Sequence, residues 1–529
     1  MLNTPRSLRG MVTSPHHLAS QAGLDVLRDG GNAVEAVVAT AAALAIAYPH
    51  MTGIGGDGFW LIAEPGRDPV AVDGCGAAGT GAALDLYRAR GHAEIPWRGP
   101  LAANTVAGTI SGWEAALSVA RGWGEALPLA RVLRDAIEMA EGGVPVTASQ
   151  EELTRRKLPE LAGVPGFAQA FLADGAPPRE GTVLKQPALG ATLRRLAAEG
   201  LDGFYRGRLG DAIAADLARA GAPVTRADLD RHQAALLVPL RARLACGDAF
   251  NFPPPTQGVA SLMILALFER LGVGEAEGFE HVHGLVEATK QAFLVRDREV
   301  GDPAHMAVDA RDLLAPAALD RMVARIDRRR ALPWPAPPSA GDTVWLGAID
   351  GAGRAVSMIQ SVYFEFGSGL VLPETGITWQ NRGCSFRLAE DGWNALRPGR
   401  KPFHTLNPAL ARLSDGRTMV YGTMGGEGQP QTQAAVFTRY ALFGQGLQAA
   451  VTAPRWLLGR TWGEQSVTLK LESRFDPALV AALREAGHAV EVLEPFTSVM
   501  GHAGAIVRQP SGVLEGATDP RSDGAVAGF

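Results

Sequence analysis

A proline-rich run followed directly by two strand-like runs constrains this chain more than any other feature. Leu332 to Ala340 contains Pro333, Pro335, Pro337 and Pro338. Proline fixes φ and offers no N–H, which predicts an exposed, extended linker. After Gly341 come the run Asp342 to Asp350, the small residues Gly351-Ala352-Gly353, and the run Ala355 to Tyr363. Two β-rich runs around an Asp-Gly turn predict a hairpin. Thr343 therefore opens a strand just behind a cleavable linker. Cutting the Asp342–Thr343 bond would create a new N-terminus, with the Thr343 hydroxyl as nucleophile and its own α-amine as base. Threonine is also an ordinary strand residue, and most strand-opening threonines have a purely structural role.

The rest of the chain decides what surrounds that hairpin. Its 529 residues are 47% hydrophobic and 20% charged, a globular composition long enough to bury a large core. A net charge of −5 offers no basic face for nucleic acid. Three cysteines, Cys75, Cys246 and Cys384, are too few and too odd for a disulfide framework, and fit a reducing compartment. Met1 to Gly10 lacks the apolar core of a signal peptide. The longest apolar stretch, Ala33 to Tyr48, carries Glu35 and is short for a bilayer, so it predicts a buried helix. The expectation is a cytoplasmic protein with no membrane or nucleic-acid partner.

Leucines and alanines between Leu18 and Arg28 have helical spacing, Asp29-Gly30-Gly31 ends that helix, and Asn32 caps the next, Ala33 to Ala47. Gly53 to Gly58 is a glycine-rich turn feeding a strand. No Gly-Lys-Ser/Thr follows it, so close backbone approach is a simpler role than a phosphate cradle. Residues 105–240 read as largely helical. Pro253-Pro254-Pro255 precedes an apolar helix from Val259 to Leu271, and a further helix runs from Glu280 to Arg296. That helix carries His281, His283 and Glu287, but the order is not that of a zinc helix and no third ligand is in view. With the cysteines dispersed as well, no metal or organic cofactor is expected. Gly422 to Gly428 links a strand to a helix from Gln431. Its backbone N–H groups are suited to an oxyanion, and a plain connection is equally open.

Together these stretches resemble the γ-glutamyltransferase family of N-terminal-nucleophile hydrolases. The resemblance rests on Asp29-Gly30-Gly31-Asn32-Ala33, Gly53 to Gly58, Asn104 to Gly108, Pro253 to Pro255, Asp342-Thr343, Phe366 to Gly369, Gly425-Gly426 and Gly516 to Arg521, in that order. It implies an α+β fold, a four-layer αββα sandwich made as one precursor. That precursor would cut itself between Asp342 and Thr343 into a large subunit (1–342) and a small subunit (343–529), interleaved in one domain. A dimer of such heterodimers is compatible with it. The resemblance also implies Thr343 as nucleophile and Gly425 and Gly426 as oxyanion donors.

Departures from the family pattern concern the substrate. The stretch Val72 to Gly76 lacks the arginine that holds a γ-glutamyl α-carboxylate, and Ser385 stands where an aspartate holds the α-amine. Val344 follows the nucleophile where the family has threonine, and His404 and Thr405 replace paired serines. Arg382 is a new cation beside Asn381, suited to bidentate carboxylate recognition. Ser361 and Tyr363 complete the expected binding residues, with Asn381, Arg382, Ser385, His404 and Thr405. The pattern implies hydrolysis of a small amide that bears a carboxylate and no α-amine, as in the family's oxamate amidohydrolase branch. γ-Glutamyl transfer or glutathione hydrolysis, a side-chain acylase of the cephalosporin-acylase type, and an uncleaved binding protein are the other readings.

Overall fold

Side chains alternate along the hairpin, and that alternation builds the layers. The computed structural model describes residues 3–334, 342–459 and 466–529. The proline-rich linker from Pro335 to Gly341 lies outside them. Strand Asp342–Asp350 pairs antiparallel with Ala355–Tyr363. Leu346, Ala348, Val356 and Met358 join a core with the helix Ala33–Ala47. Their neighbours Trp345, Ile349, Ala355 and Ile359 join a second core with Phe250, Leu410, Val420 and Ile506. A period of two sends successive side chains to opposite faces, so one sheet is buried on both sides.

That sheet has seven antiparallel strands, in the order Ala525–Gly528, Gly10–Ser14, Asp342–Asp350, Ala355–Tyr363, Asp57–Ala63, Val70–Gly74 and Ala235–Leu237. The second sheet also has seven: Arg6–Ser7, Leu514–Thr518, Ala503–Arg508, Thr418–Thr423, Ala409–Leu413, Gly247–Asn251 and Leu240–Leu244. Helices Gly258–Leu271, Phe279–Glu299 and Gly428–Phe437 bury their apolar faces on its outer side. The result is helix, sheet, sheet, helix. Each sheet takes strands from both sides of residue 342.

Helix Ala33–Ala47 is buried along its whole length. Asn32 accepts from the N–H groups of Val34 and Glu35, while Glu35 accepts from Asn32 N–H, a capping box that satisfies otherwise orphaned donors. Residues 105–240 are largely helical as expected, but Ala235–Leu237 is an edge strand. The glycine-rich turn serves close approach: a side chain at Gly55 or Gly56 would run into the carbonyls of Thr378 and Ser361. Among the described residues no helix is long and apolar enough to cross a membrane.

Candidate active site

Asp342 lies opposite Tyr363 but Val344 lies opposite Gln360, so the register slips at Thr343. A bulge re-aims the residue it contains, and such irregularities gather at reactive sites. Thr343 is fully buried. Two residues on, Trp345 packs against Gly422 and Gly504 of the facing sheet so closely that neither position has room for a side chain. The start of the strand Asp342–Asp350 is thereby tied to the strand Thr418–Thr423, which runs into the paired glycines.

Gly425 and Gly426 have φ of 115° and 53°, a region that favours glycine. Their carbonyls accept from Gly428 N–H (2.8 Å) and Gln429 N–H (3.3 Å), which starts the helix Gly428–Phe437. Neither of their own N–H groups donates to a described residue. Two adjacent donors at a helix start suit a developing oxyanion. The loop is braced from behind. Gln257 Nε2 donates to the carbonyls of Gly426 (2.8 Å) and Thr405 (2.7 Å). Arg296 holds Gln257 Oε1 at 2.8 Å and pairs with Glu427 at 3.2 Å.

Arg382 is 1% exposed. Its Nη1 donates to Thr405 Oγ1 at 3.2 Å, and its Cζ lies 3.3 Å from the centre of the Tyr363 ring. Nε and Nη2 have no partner, and no carboxylate of a described residue comes within ion-pair distance. These two nitrogens form the side-on edge of the guanidinium, the geometry that grips a carboxylate with two parallel bonds. Burial lowers the Arg382 pKa, but from so high a value that the group stays charged.

The other expected binding residues divide. Asn381 braces the turn after the hairpin: its Oδ1 accepts from Phe364 N–H (3.1 Å) and its Nδ2 donates to Trp97 O (2.9 Å). Ser361 Oγ accepts from Tyr363 N–H at 2.8 Å, and Tyr363 has the strained φ of 85°. Ser385 donates to Phe403 O at 3.3 Å. Thr405 orients Arg382. His404 touches Asp57, an acidic residue among the turn glycines of Gly53 to Gly58.

Asp57 is fully buried at the head of its strand. Its Oδ1 accepts from Gly76 N–H (3.0 Å), Gly108 N–H (3.1 Å) and Gln380 Nε2 (3.1 Å), and Oδ2 lies 3.2 Å from His404 Nε2. Leu406 N–H points at His404 Nδ1 (3.4 Å), so Nε2 carries the proton and donates to Asp57. Burial, then the charge of Arg382, holds His404 well below the usual histidine range and hence neutral. Burial lifts Asp57 to about 7, against its N–H donors and Arg382.

Two groupings correct the expectation that metal-ligand side chains are scattered. Cys75 meets Asp57 and His404, and His488 joins His283 and Glu287. Hydrogen bonds already account for both. Asp57 is saturated by N–H donors. His283 Nδ1 lies 2.9 Å from His488 Nε2, and Glu287 pairs with Lys290 at 2.7 Å. Gln257, Arg296, Glu427 and Asp57 were missed because each acts across a long sequence separation. The one local signal was an acidic residue among the glycines of Gly53 to Gly58.

The chain matches the sequence profile of Gamma-glutamyltranspeptidase over residues 19–529. It is 56% identical over 524 residues to the oxamate amidohydrolase proenzyme of Klebsiella pneumoniae, covering 99% of each chain. It is 40% identical over 522 residues to a glutathione hydrolase-like proenzyme of Bacillus subtilis, covering 98% of each. The crystal structure of cephalosporin acylase from Bacillus halodurans superposes with a TM-score of 0.92 at 33% identity, covering 100% of this chain and 97% of that one.

Proposed function

Since this chain belongs to the gamma-glutamyltranspeptidase family, we propose that it cuts its own Asp342–Thr343 bond and then hydrolyses oxamate to oxalate and ammonia. Residues 1–342 form the large fragment and 343–529 the small one. The α-amine of Thr343 takes the proton from the hydroxyl as Oγ attacks the amide carbon. An unperturbed α-amine has a pKa of roughly 7.7–8.0, close to working pH. The N–H groups of Gly425 and Gly426 stabilise the oxyanion. The C–N bond breaks, ammonia leaves with the proton, and water cleaves the acyl-threonine ester. No metal or organic cofactor enters these steps.

The open side-on edge of Arg382 carries the choice of substrate. It fits a carboxylate next to the scissile amide. Ser385, turned toward Phe403 O, gives no charge to hold an α-amine. Glutathione hydrolysis and side-chain acylase activity are therefore the lesser readings. On this reading the protein works in the cytoplasm, consistent with three unpaired cysteines. Its partners are the two fragments and a small amide, with neither nucleic acid nor membrane.

Mass spectrometry and ammonia release test the proposal together. Wild-type protein gives two fragments, the smaller beginning at Thr343, and releases ammonia from oxamate in preference to glutathione or glutaryl amides. Thr343→Ala stays full-length and inactive. Cleavage at another bond, or processing of Thr343→Ala, removes the nucleophile assignment; preference for glutathione removes the oxamate assignment.

A further inference from the structure

We propose that Asp57 sets the charge limit of the Arg382 pocket, admitting one negative charge and opposing a second, so that a monoanionic substrate is held and a dianionic product is discharged. The inference rests on the oxamate reading and concerns what that reaction does to charge. The amide plus water gives the dicarboxylate and ammonium, so the organic ligand passes from one negative charge to two at the same site.

The pocket has little cation to spare. Arg382 lacks an ion-pair partner among the described residues. Lys401 is paired with Asp73 at 2.6 Å, and Arg296 with Asp297 at 2.6 Å and Glu427 at 3.2 Å. Burial keeps the Cys75 and Cys384 thiols neutral, as it does the phenol of Tyr205. His404 is neutral too. The Tyr363 phenol also lies against Arg382, and the α-amine that cleavage would free on Thr343 adds a further titrating group; both serve the two ligands alike.

At the pH 8 of the test below, above its pKa of about 7, Asp57 is ionised, and its hydrogen bonds favour that form. All four of its neighbours donate N–H groups: Gly76, Gly108, Gln380 and His404. Protonation would weaken the bonds these buried donors make to the carboxylate. The Asp57 and Arg382 charges act on one another without direct contact. With a substrate carboxylate on the free edge of Arg382, Asp57 remains a nearby negative charge, bonded to His404 next to the Thr405 that holds Arg382. A second carboxylate meets that charge with no new cation, and burying unpaired charge is costly.

The test uses processed wild-type enzyme at pH 8 and two small inhibitors, glycolate as monoanion and oxalate as dianion. Oxalate is expected to inhibit about tenfold more weakly than glycolate, and in Asp57→Asn that ratio falls to about one. The wild-type comparison stands even where the variant does not fold. Oxalate binding wild type as tightly as glycolate overturns the charge limit. So does Asp57→Asn weakening both anions equally, the sign of a structural role only. If neither anion inhibits while glutathione is turned over, the oxamate reading itself has failed, and this inference with it.

Discussion

A guanidinium buried with two nitrogens unbonded forfeits about 1–3 kcal/mol of hydrogen bonding, and Arg382 bears that cost against the Tyr363 ring at the end of the hairpin. If a substrate carboxylate fills the open edge, Arg382→Ala still processes to two fragments but loses ~2–4 kcal/mol of transition-state binding, read from kcat/KM on oxamate. Arg382→Lys recovers only part, because a point charge cannot replace the fork. Processing and efficiency both unchanged in Arg382→Ala would make the residue structural. A γ-glutamyl anilide is expected to turn over poorly, since Ser385 offers its amine no charge; robust turnover at low concentration refutes this. At this scale the sequence offers Thr343 and the paired glycines as candidates through local motifs, and Arg382 as a departure from the family pattern. It does not reach Asp57 or the bracing of the Gly425-Gly426 loop. Asp57 lies 325 positions from Arg382 along the chain, and Gln257 and Arg296 brace Gly426 and Glu427 from distant helices. No spacing rule connects residues that meet only once two sheets are stacked.

Among the elements, the contact of Trp345 with Gly422 fixes how the strand Asp342–Asp350 sits on the strand leading to Gly425 and Gly426. Trp345 is anchored by Nε1–H donating to Ser357 Oγ at 2.9 Å, so the ring cannot easily yield. Gly422→Ala places a methyl group into that ring. The expected cost is about 1–3 kcal/mol of stability, as for overpacking elsewhere. Processing should slow as well, because the change shifts Thr343 relative to Gly425 and Gly426. A thermal melt and a time course on denaturing gels read the two effects separately; a lower Tm with unchanged processing would show that the strand contact does not position the nucleophile. The hairpin, the capped helix Ala33–Ala47 and the strand–loop–helix at Gly422 to Gly428 were legible, since their signals are a turn, a cap and a period. Strand order was not: Asp342–Asp350 pairs on its other edge with Gly10–Ser14, more than three hundred residues earlier. Only the family resemblance supplied the four layers.

At the scale of the whole molecule, both sheets are woven from segments on either side of residue 342. Gly10–Ser14 and Asp57–Ala63 flank the hairpin on its two edges. The fragments should therefore co-elute after cleavage and separate only on unfolding; a small fragment that dissociates in native buffer contradicts the shared sheets. The same burial makes the assembly acid-sensitive. Burial holds His16, His281 and His502 at about 4, and His232 and His488 at about 3. An unfolded chain protonates these residues near pH 6.5, so it binds more protons than the folded one throughout the interval between. Stability is then fully present above about pH 6.5 and falls as the pH drops toward 4, by up to about 1.4 kcal/mol per pH unit for each such histidine. Asp519 extends the loss further down. Arg455 and Arg521 flank it and hold its carboxyl below the usual range against burial, so its contribution, present above about pH 4, disappears as it takes a proton. Urea midpoints measured from pH 8 to pH 4 should stay level at first and then fall steeply below about pH 6.5. His502→Gln, which removes a buried imidazole whose two nitrogens have no partner, should make that fall shallower. A midpoint that stays level down to pH 4 would mean that the buried histidines take up protons in the folded state as readily as in the unfolded one.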